Sequence, residues 1–213
     1  SRPTSAPMSI DDVVIKTAAL FAVLVTVGGF AWRANSPSLA LVGFLGGFAL
    51  AIVNSFSKKV RPPLVIAYAA AQGLALGTIS RIYNDAYAGI VGQAVIGTLC
   101  AFLGVLVAYR SGKIRVTPKF TRIMMGALIG YVVFALFSMF VGFPGGGLGL
   151  LISVGGVALA SMFIVMDFDQ IEKAVAARVP QEESWRCAFG LMVTLVWLYL
   201  EVLRLISILR SGD

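Results

Sequence analysis

Seven long apolar runs, each of about 20 residues, most constrain what this chain can fold into. They lie at residues 13–32, 39–56, 64–82, 90–109, 123–143, 148–166 and 187–209. A run of this length with few charges is long enough to cross the hydrocarbon core of a bilayer as a helix. With 59% hydrophobic and 13% charged residues, the chain is also too poor in charge for a soluble domain. The sequence therefore predicts an integral membrane protein.

The pattern within the runs predicts helices rather than a barrel. Each run is continuously apolar, whereas the strands of a membrane barrel alternate apolar and polar residues over about ten positions. Pairs of glycines four residues apart recur in three runs, and such pairs let helix backbones approach closely. They are Gly43 and Gly47, Gly73 and Gly77, and Gly126 and Gly130. We predict an all-α polytopic membrane protein, a single domain over residues 1–213 with seven transmembrane helices and a short cytoplasmic segment at 1–12.

The basic residues indicate how the chain is oriented. With seven spans the gaps alternate between two sides, and 13 of the 17 Lys and Arg residues fall on the side that holds the N-terminus. Short loops rich in Lys and Arg stay in the cytoplasm. We expect a cytoplasmic N-terminus, an external C-terminus and a location in the cell (plasma) membrane, with the lipid bilayer as partner. Because the positive charge lies in short gaps between apolar runs, we expect no nucleic-acid partner.

The chain contains no histidine, which excludes several kinds of site. Histidine is the usual zinc ligand, the commonest general base and the side chain that titrates nearest neutral pH. Metalloproteases with an HExxH motif and intramembrane Ser–His proteases are excluded, and the final run holds no aspartate for an aspartyl protease. We expect no catalytic residues and no cofactor. A titrating switch would have to be built from carboxyl groups.

A few polar residues interrupt the apolar runs, and such residues usually have a function because they are costly in lipid. Gln72 is in the middle of the third run, where it is either a link between helices or part of a polar pathway. The last run carries Thr194, Glu201 and Arg204. Thr194 and Glu201 are seven residues apart and share a helix face, while Glu201 and Arg204 are close enough to pair. That pair is either self-neutralised near the outer headgroups or functional.

Asp167 follows the sixth run directly, in the stretch IVMDFDQIEKAV at residues 164–175. It is either the first residue in water or a carboxyl group inside the membrane. Apolar residues continue to recur at three- or four-residue spacing beyond it, which is typical of a helix. We therefore predict one helix to about residue 177, with Asp167 and Gln170 facing the bundle and Asp169 nearer to water.

These stretches resemble the Bax-inhibitor family, also called the transmembrane BAX inhibitor motif family, in its bacterial YccA-like branch. The likeness is carried by VMDFDQIEKA, the following Trp185, AFGLMVTLVWLYLEVLRL and LEVLRLISILRSGD in the last run, YAAAQGLALGTIS in the third run, and the short PGGG link. The likeness extends over nearly the whole chain. It implies a seven-helix fold in which the last helix is central and wrapped by the other six.

The resemblance also implies a function. Members of this family are associated with a pH-sensitive leak of calcium ions across membranes, and in bacteria with modulation of membrane-bound proteolysis. A calcium or other cation leak is therefore the first expectation. A non-channel modulator of a membrane protease or quality-control complex, docked through the basic loop at 110–122 or the N-terminus, is the alternative.

Residue roles follow from the same resemblance. In calcium-leak members, an aspartate on helix six and one on helix seven share protons and close the pore. Asp167 matches the first, whereas the second falls on Thr194 or on Glu201, depending on the alignment. Two close carboxyl groups in a poorly hydrated site cannot both ionise cheaply, but a threonine partner would leave Asp167 without a twin charge. The expected proton-sensing or gating residues are Asp167, Glu201 and Thr194, and the expected pore-lining or polar-network residues are Gln72, Gln170, Asp169 and Arg204.

Overall fold

The computed structural model describes residues 6–212, with the backbone alone at residue 139. Over this range the chain forms seven long α-helices and one short 3-10 helix between the last two. The α-helices are α1 (Ile10–Ala34), α2 (Pro37–Phe56), α3 (Pro62–Ala86), α4 (Ile90–Arg110), α5 (Pro118–Val141), α6 (Gly146–Ala176) and α7 (Ser184–Ser211). All seven are long and apolar enough to cross a membrane. The prediction of an all-α, multi-pass membrane protein is confirmed.

Local sequence signals set several helix ends. Ser9 and Asp12 form a reciprocal capping box at the start of α1, which satisfies two backbone N–H groups that the helix itself leaves free. Thr117 accepts a hydrogen bond from the Phe120 backbone N–H at the start of α5. Helix α1 begins at Ile10, within the predicted cytoplasmic segment at 1–12, whose side of the membrane stays a prediction; residues 1–5 lie outside the described range.

The sixth helix is longer than its apolar run. It continues without a break past the end of the run at residue 166 and ends at Ala176, as the helical spacing predicted. Ile171, in this extension, is 8% exposed, so part of the extension still packs against protein. Arg178 then adopts a left-handed backbone conformation, with φ of 52°, that ends the helix. Asp167 is therefore a residue within a helix and not the first residue after one.

The chain divides into two compact units. Among the described residues, unit 1 comprises 6–86 and 170–192, and unit 2 comprises 87–169 and 193–212. Helices α6 and α7 each contribute to both units. Much of α7 is buried, and the central position of this helix in the bundle stays a prediction.

Within unit 1, α3 packs against both α1 and α2. A Cβ atom built on Gly77 would lie 2.8 Å from the Gly28 Cα atom, and one built on Gly73 would lie 2.7 Å from the Leu24 carbonyl oxygen. Only glycine allows backbones this close. The predicted role of close-packing glycines is confirmed here, whereas Cβ atoms at Gly126 and Gly130 would meet nothing within 4 Å.

The start of the chain is bound to the α6–α7 connection within unit 1. The Met8 N–H donates to the Val179 carbonyl at 2.9 Å, and the Gln181 N–H donates to the Ala6 carbonyl at 3.0 Å. The Gln181 side-chain amide also donates to Asp12 Oδ1 at 2.7 Å. These bonds hold the connection that joins the two helices on which the candidate site lies.

Candidate functional site

Asp167 on α6 is the first of two carboxyl groups of unit 2 that have a buried oxygen with no hydrogen-bond partner among the described residues. Its carboxyl group forms a side-chain hydrogen bond with the Thr194 hydroxyl on α7. The other oxygen, Oδ2, is shielded from solvent and has no hydrogen-bond partner in the described part of the chain. Of the two partners that the sequence left open, the structure brings Thr194 to Asp167.

Aromatic packing fixes the orientation of α6 at this level. The ring of Phe168, the next residue, packs against Phe102 and Tyr109 of α4, with ring centroids 5.6 Å and 5.7 Å apart. Turning α6 about its axis would break both contacts. The direction in which Asp167 points is therefore set by apolar packing as well as by its single polar contact.

The expectation that Gln170 faces the bundle is wrong, because this residue is exposed. At about 100° per residue, Gln170 lies roughly 60° to one side of Asp167 on the helix. The buried residues Ile164 and Ile171 lie about 40–60° to the other side. The buried stripe of α6 is thus centred away from Gln170. Asp169, expected nearer to water, is partly buried.

Glu201 is the second carboxyl group, and it is 2% exposed. Three donors converge on its Oε1 atom: the Tyr131 hydroxyl, the Trp197 indole N–H at 3.2 Å and the Arg204 guanidinium at 3.5 Å. One of them is positively charged, so the group compensates a negative charge on Glu201. The predicted pairing of Glu201 with Arg204 is confirmed. The Oε2 atom is buried without a hydrogen-bond partner among residues 6–212.

Aromatic rings surround this second cluster. Trp197 packs against Tyr131 of α5 and Phe163 of α6, with centroids 5.5 Å and 5.6 Å apart. The Arg204 guanidinium lies over the Phe143 ring, 4.7 Å from its centroid, in a cation–π contact. The Glu201 carboxylate is therefore screened from lipid by flat apolar surfaces.

The two carboxyl groups occupy different levels of the bundle. Glu201 packs against Gly156 of α6, where a Cβ atom would lie 2.8 Å from the Glu201 Cδ atom. Gly156 precedes Asp167 by eleven residues, which corresponds to about 16 Å along a helix. Glu201 is therefore not the partner of Asp167, and the structure separates an Asp167–Thr194 pair from a Glu201–Arg204 cluster.

Gln72 belongs to unit 1, where it lies between α2 and α3. Its side-chain nitrogen would be 2.9 Å from a Cβ atom built on Gly47, and its side chain hydrogen-bonds Tyr68, one turn earlier on α3. Of the two readings of Gln72, these contacts favour a link between helices.

The sequence did not single out Tyr131, Gly156 or Trp197. Trp197 stands four residues before Glu201 and so shares its helix face, a signal that was available. Tyr131 and Gly156 come from other helices, and no local pattern identifies them. Within residues 6–212, no three His, Cys, Asp or Glu side chains come together in a group that could hold a metal ion.

Comparison with known proteins identifies the family. The family model described as Bax inhibitor 1 like matches residues 1–211, which is nearly the whole chain. A search of curated proteins gave no match. The match is at the level of the family, so the YccA-like branch stays a prediction. The chain belongs to the Bax inhibitor 1 like family of multi-pass membrane proteins.

Proposed function

We propose that this protein is a pH-sensitive leak for calcium or related cations in the plasma membrane, and that Asp167 is its proton-sensing residue. The observation that carries the proposal is a carboxyl group held inside an apolar helix, with one oxygen shielded from solvent and unpartnered among the described residues. Ionisable groups in such positions are costly and usually mark an ion or proton pathway. Membership of the family supports the same function.

The Asp167–Thr194 contact suits a group that gains and loses a proton. A hydroxyl can donate to a carboxylate and can equally accept from a carboxylic acid, so this hydrogen bond survives in both states. The charge that Asp167 gains or loses is then least compensated at Oδ2, which has no hydrogen-bond partner in the described range. Because Thr194 carries no charge, no repulsion between twin carboxylates arises here. We expect Asp167 to titrate as a single group, over a narrower pH range than the two separated steps of a carboxylate pair.

The proposal is tested by calcium flux into proteoliposomes that contain the purified chain, measured on both sides of neutral pH. Asp167→Asn is expected to remove the dependence of flux on pH. Asp169→Asn is the matched control, since it removes a carboxylate two residues away and is expected to leave the dependence intact. Indistinguishable pH profiles for the parent chain and Asp167→Asn would refute the role of Asp167.

A third variant tests the effect of a second carboxyl group next to Asp167. Thr194→Asp places a second carboxyl group against Asp167, and two such groups cannot both ionise cheaply. The variant is expected to titrate in two separated steps, so that its flux responds over a wider pH range than the flux of the parent chain. A profile unchanged by this substitution would show that the Thr194 position does not couple to Asp167.

The second candidate function is a non-channel modulator of a membrane protease. The α4–α5 connection and the adjoining helix ends favour it, because they expose five basic side chains: Arg110, Lys113, Arg115, Lys119 and Arg122. Such a surface suits an acidic partner. Crosslinking in native membranes tests this candidate, which predicts a stable protease adduct and no flux through the purified protein. Neither function requires a catalytic residue or a cofactor, and we propose none.

A further inference from the structure

The two oxygens of the Glu201 carboxylate differ in their hydrogen bonding. Oε1 accepts from Tyr131, Trp197 and Arg204, whereas Oε2 is buried without a hydrogen-bond partner across residues 6–212. A buried anionic oxygen with no donor is costly, and each such case in a native structure calls for an explanation. An oxygen of this kind is a position where a cation can bind.

The neighbouring helix leaves space for Oε2. It lies against Gly156, where any Cβ atom would overlap it, while a Cβ atom on the adjacent Gly155 would meet nothing within 4 Å. At residue 156, unlike residue 155, a side chain would displace the Glu201 carboxylate.

Further oxygens lie on the helices that frame the cluster. The Ser153 hydroxyl is fully buried and has no hydrogen-bond partner in the described range, and it precedes Gly156 by one helical turn. The Ser138 hydroxyl is likewise buried and without such a partner, and it follows Tyr131 by seven residues on the same face of α5. Calcium-like cations bind carboxylate oxygens and waters, and a hydroxyl can hydrogen-bond to such a water.

Arg204 is the positively charged partner of Glu201. Its guanidinium is 3.5 Å from Oε1, longer than the roughly 2.7–2.9 Å of a tight charge-assisted hydrogen bond. About a third of the Arg204 side chain is exposed, compared with 3% for Glu201. The arginine is therefore the more accessible member of the pair.

We propose that Glu201 is a binding site for a hydrated divalent cation, and that Arg204 is a tethered cation that competes for it. While Arg204 lies next to Glu201, it neutralises the carboxylate and repels an entering ion; when Arg204 moves away, the ion binds through Oε2. This inference deepens the proposed leak and rests on it for its physiological meaning. Binding itself is measured without any flux.

The test uses terbium ions, which report binding through luminescence sensitised by a nearby indole, and the full chain in detergent. The Trp197 Nε1 atom is 3.2 Å from Glu201 Oε1, so an ion at this carboxylate has a built-in sensitiser. Arg204→Gln is expected to bind terbium roughly tenfold or more tightly than the parent chain, since a close positive charge is removed. Calcium is expected to displace the signal.

Controls separate this site from nonspecific binding. Arg210→Gln removes a positive charge from the same helix and is expected to change nothing. Adding Glu201→Gln to Arg204→Gln is expected to abolish the gain. No gain in Arg204→Gln, or a gain that survives loss of Glu201, overturns the proposal.

A second variant and a second measurement cover the case in which Arg204→Gln does not fold, which size-exclusion chromatography would reveal. Arg204→Met keeps the length of the side chain without its charge and is expected to show the same gain. The parent chain alone is expected to give the signal at higher terbium and to lose it in Trp197→Phe; no such signal also overturns the proposal. Terbium binding without calcium flux in any variant would instead preserve this site and reject the leak.

Discussion

Asp167 and Glu201 are both carboxyl groups inside apolar helices of unit 2, yet their surroundings differ. Asp167 has one neutral partner, Thr194, whereas Glu201 has three donors, one of them charged. Each keeps one buried oxygen without a hydrogen-bond partner among the described residues. A buried oxygen is thus common to both groups and does not by itself distinguish them.

The difference lies in what each environment does to the charge. Around Glu201, Arg204 and two neutral donors converge on one oxygen, and together they compensate a negative charge. The Asp167 environment has a hydroxyl that serves either protonation state equally. We infer that the two groups have different roles: Asp167 responds to protons and Glu201 binds cations.

The largest effect on stability is expected at Gly156, the residue that gives Glu201 its space. Gly156→Ala forces the carboxylate away from its three donors and should destabilise the protein by about 1–3 kcal/mol, as overpacked cores do. Gly155→Ala meets open space and should be neutral or stabilise the helix by up to about 1 kcal/mol. Unfolding in detergent measures both. Equal effects at the two glycines would show that Glu201 is free to move.

A smaller effect is expected from a matched pair of amide substitutions. Glu201→Gln removes the charge on which Tyr131 and Arg204 converge and should cost about 1–2 kcal/mol, the difference between charged and neutral hydrogen bonds. Asp167→Asn replaces a carboxyl group that has one neutral partner and should cost less than Glu201→Gln, because no charged donor loses its acceptor. The same unfolding assay compares them. A larger loss of stability for Asp167→Asn would show that the charge on Asp167, and not that on Glu201, is the one that its surroundings compensate.

The smallest effects are expected from removing single hydroxyl groups. Tyr131→Phe deletes one of the three donors to Glu201 and should cost about 1 kcal/mol. Thr194→Val deletes the partner of Asp167 while keeping its shape, and it should cost less, because the acceptor there is not required to be charged. A cost for Thr194→Val above that for Tyr131→Phe would show that the two environments are not ordered as we propose.

Much of this arrangement follows from local sequence. The seven runs predict the seven helices, and the spacing beyond residue 166 predicts that α6 continues through Asp167. The Glu201–Arg204 pair follows from a separation of three residues on one helix. Features of this kind depend on neighbours along a single helix, which the order of residues specifies directly.

Other features depend on how helices pack, and the sequence alone leaves them open. Tyr131 and Gly156 reach Glu201 from different helices, and either Thr194 or Glu201 could have met Asp167. The placement of Gln170 was wrong because the predicted inward face was centred on Asp167. The buried stripe runs instead through Ile164 and Ile171, which apolar contacts select.

The division between the two carboxyl groups is tested most directly by the pH profile of calcium flux for Asp167→Asn and Glu201→Gln side by side. We expect Asp167→Asn to flatten the profile, and Glu201→Gln to lower the flux at every pH while leaving the shape of the profile intact. A profile that keeps its shape in Asp167→Asn and loses it in Glu201→Gln would contradict this account.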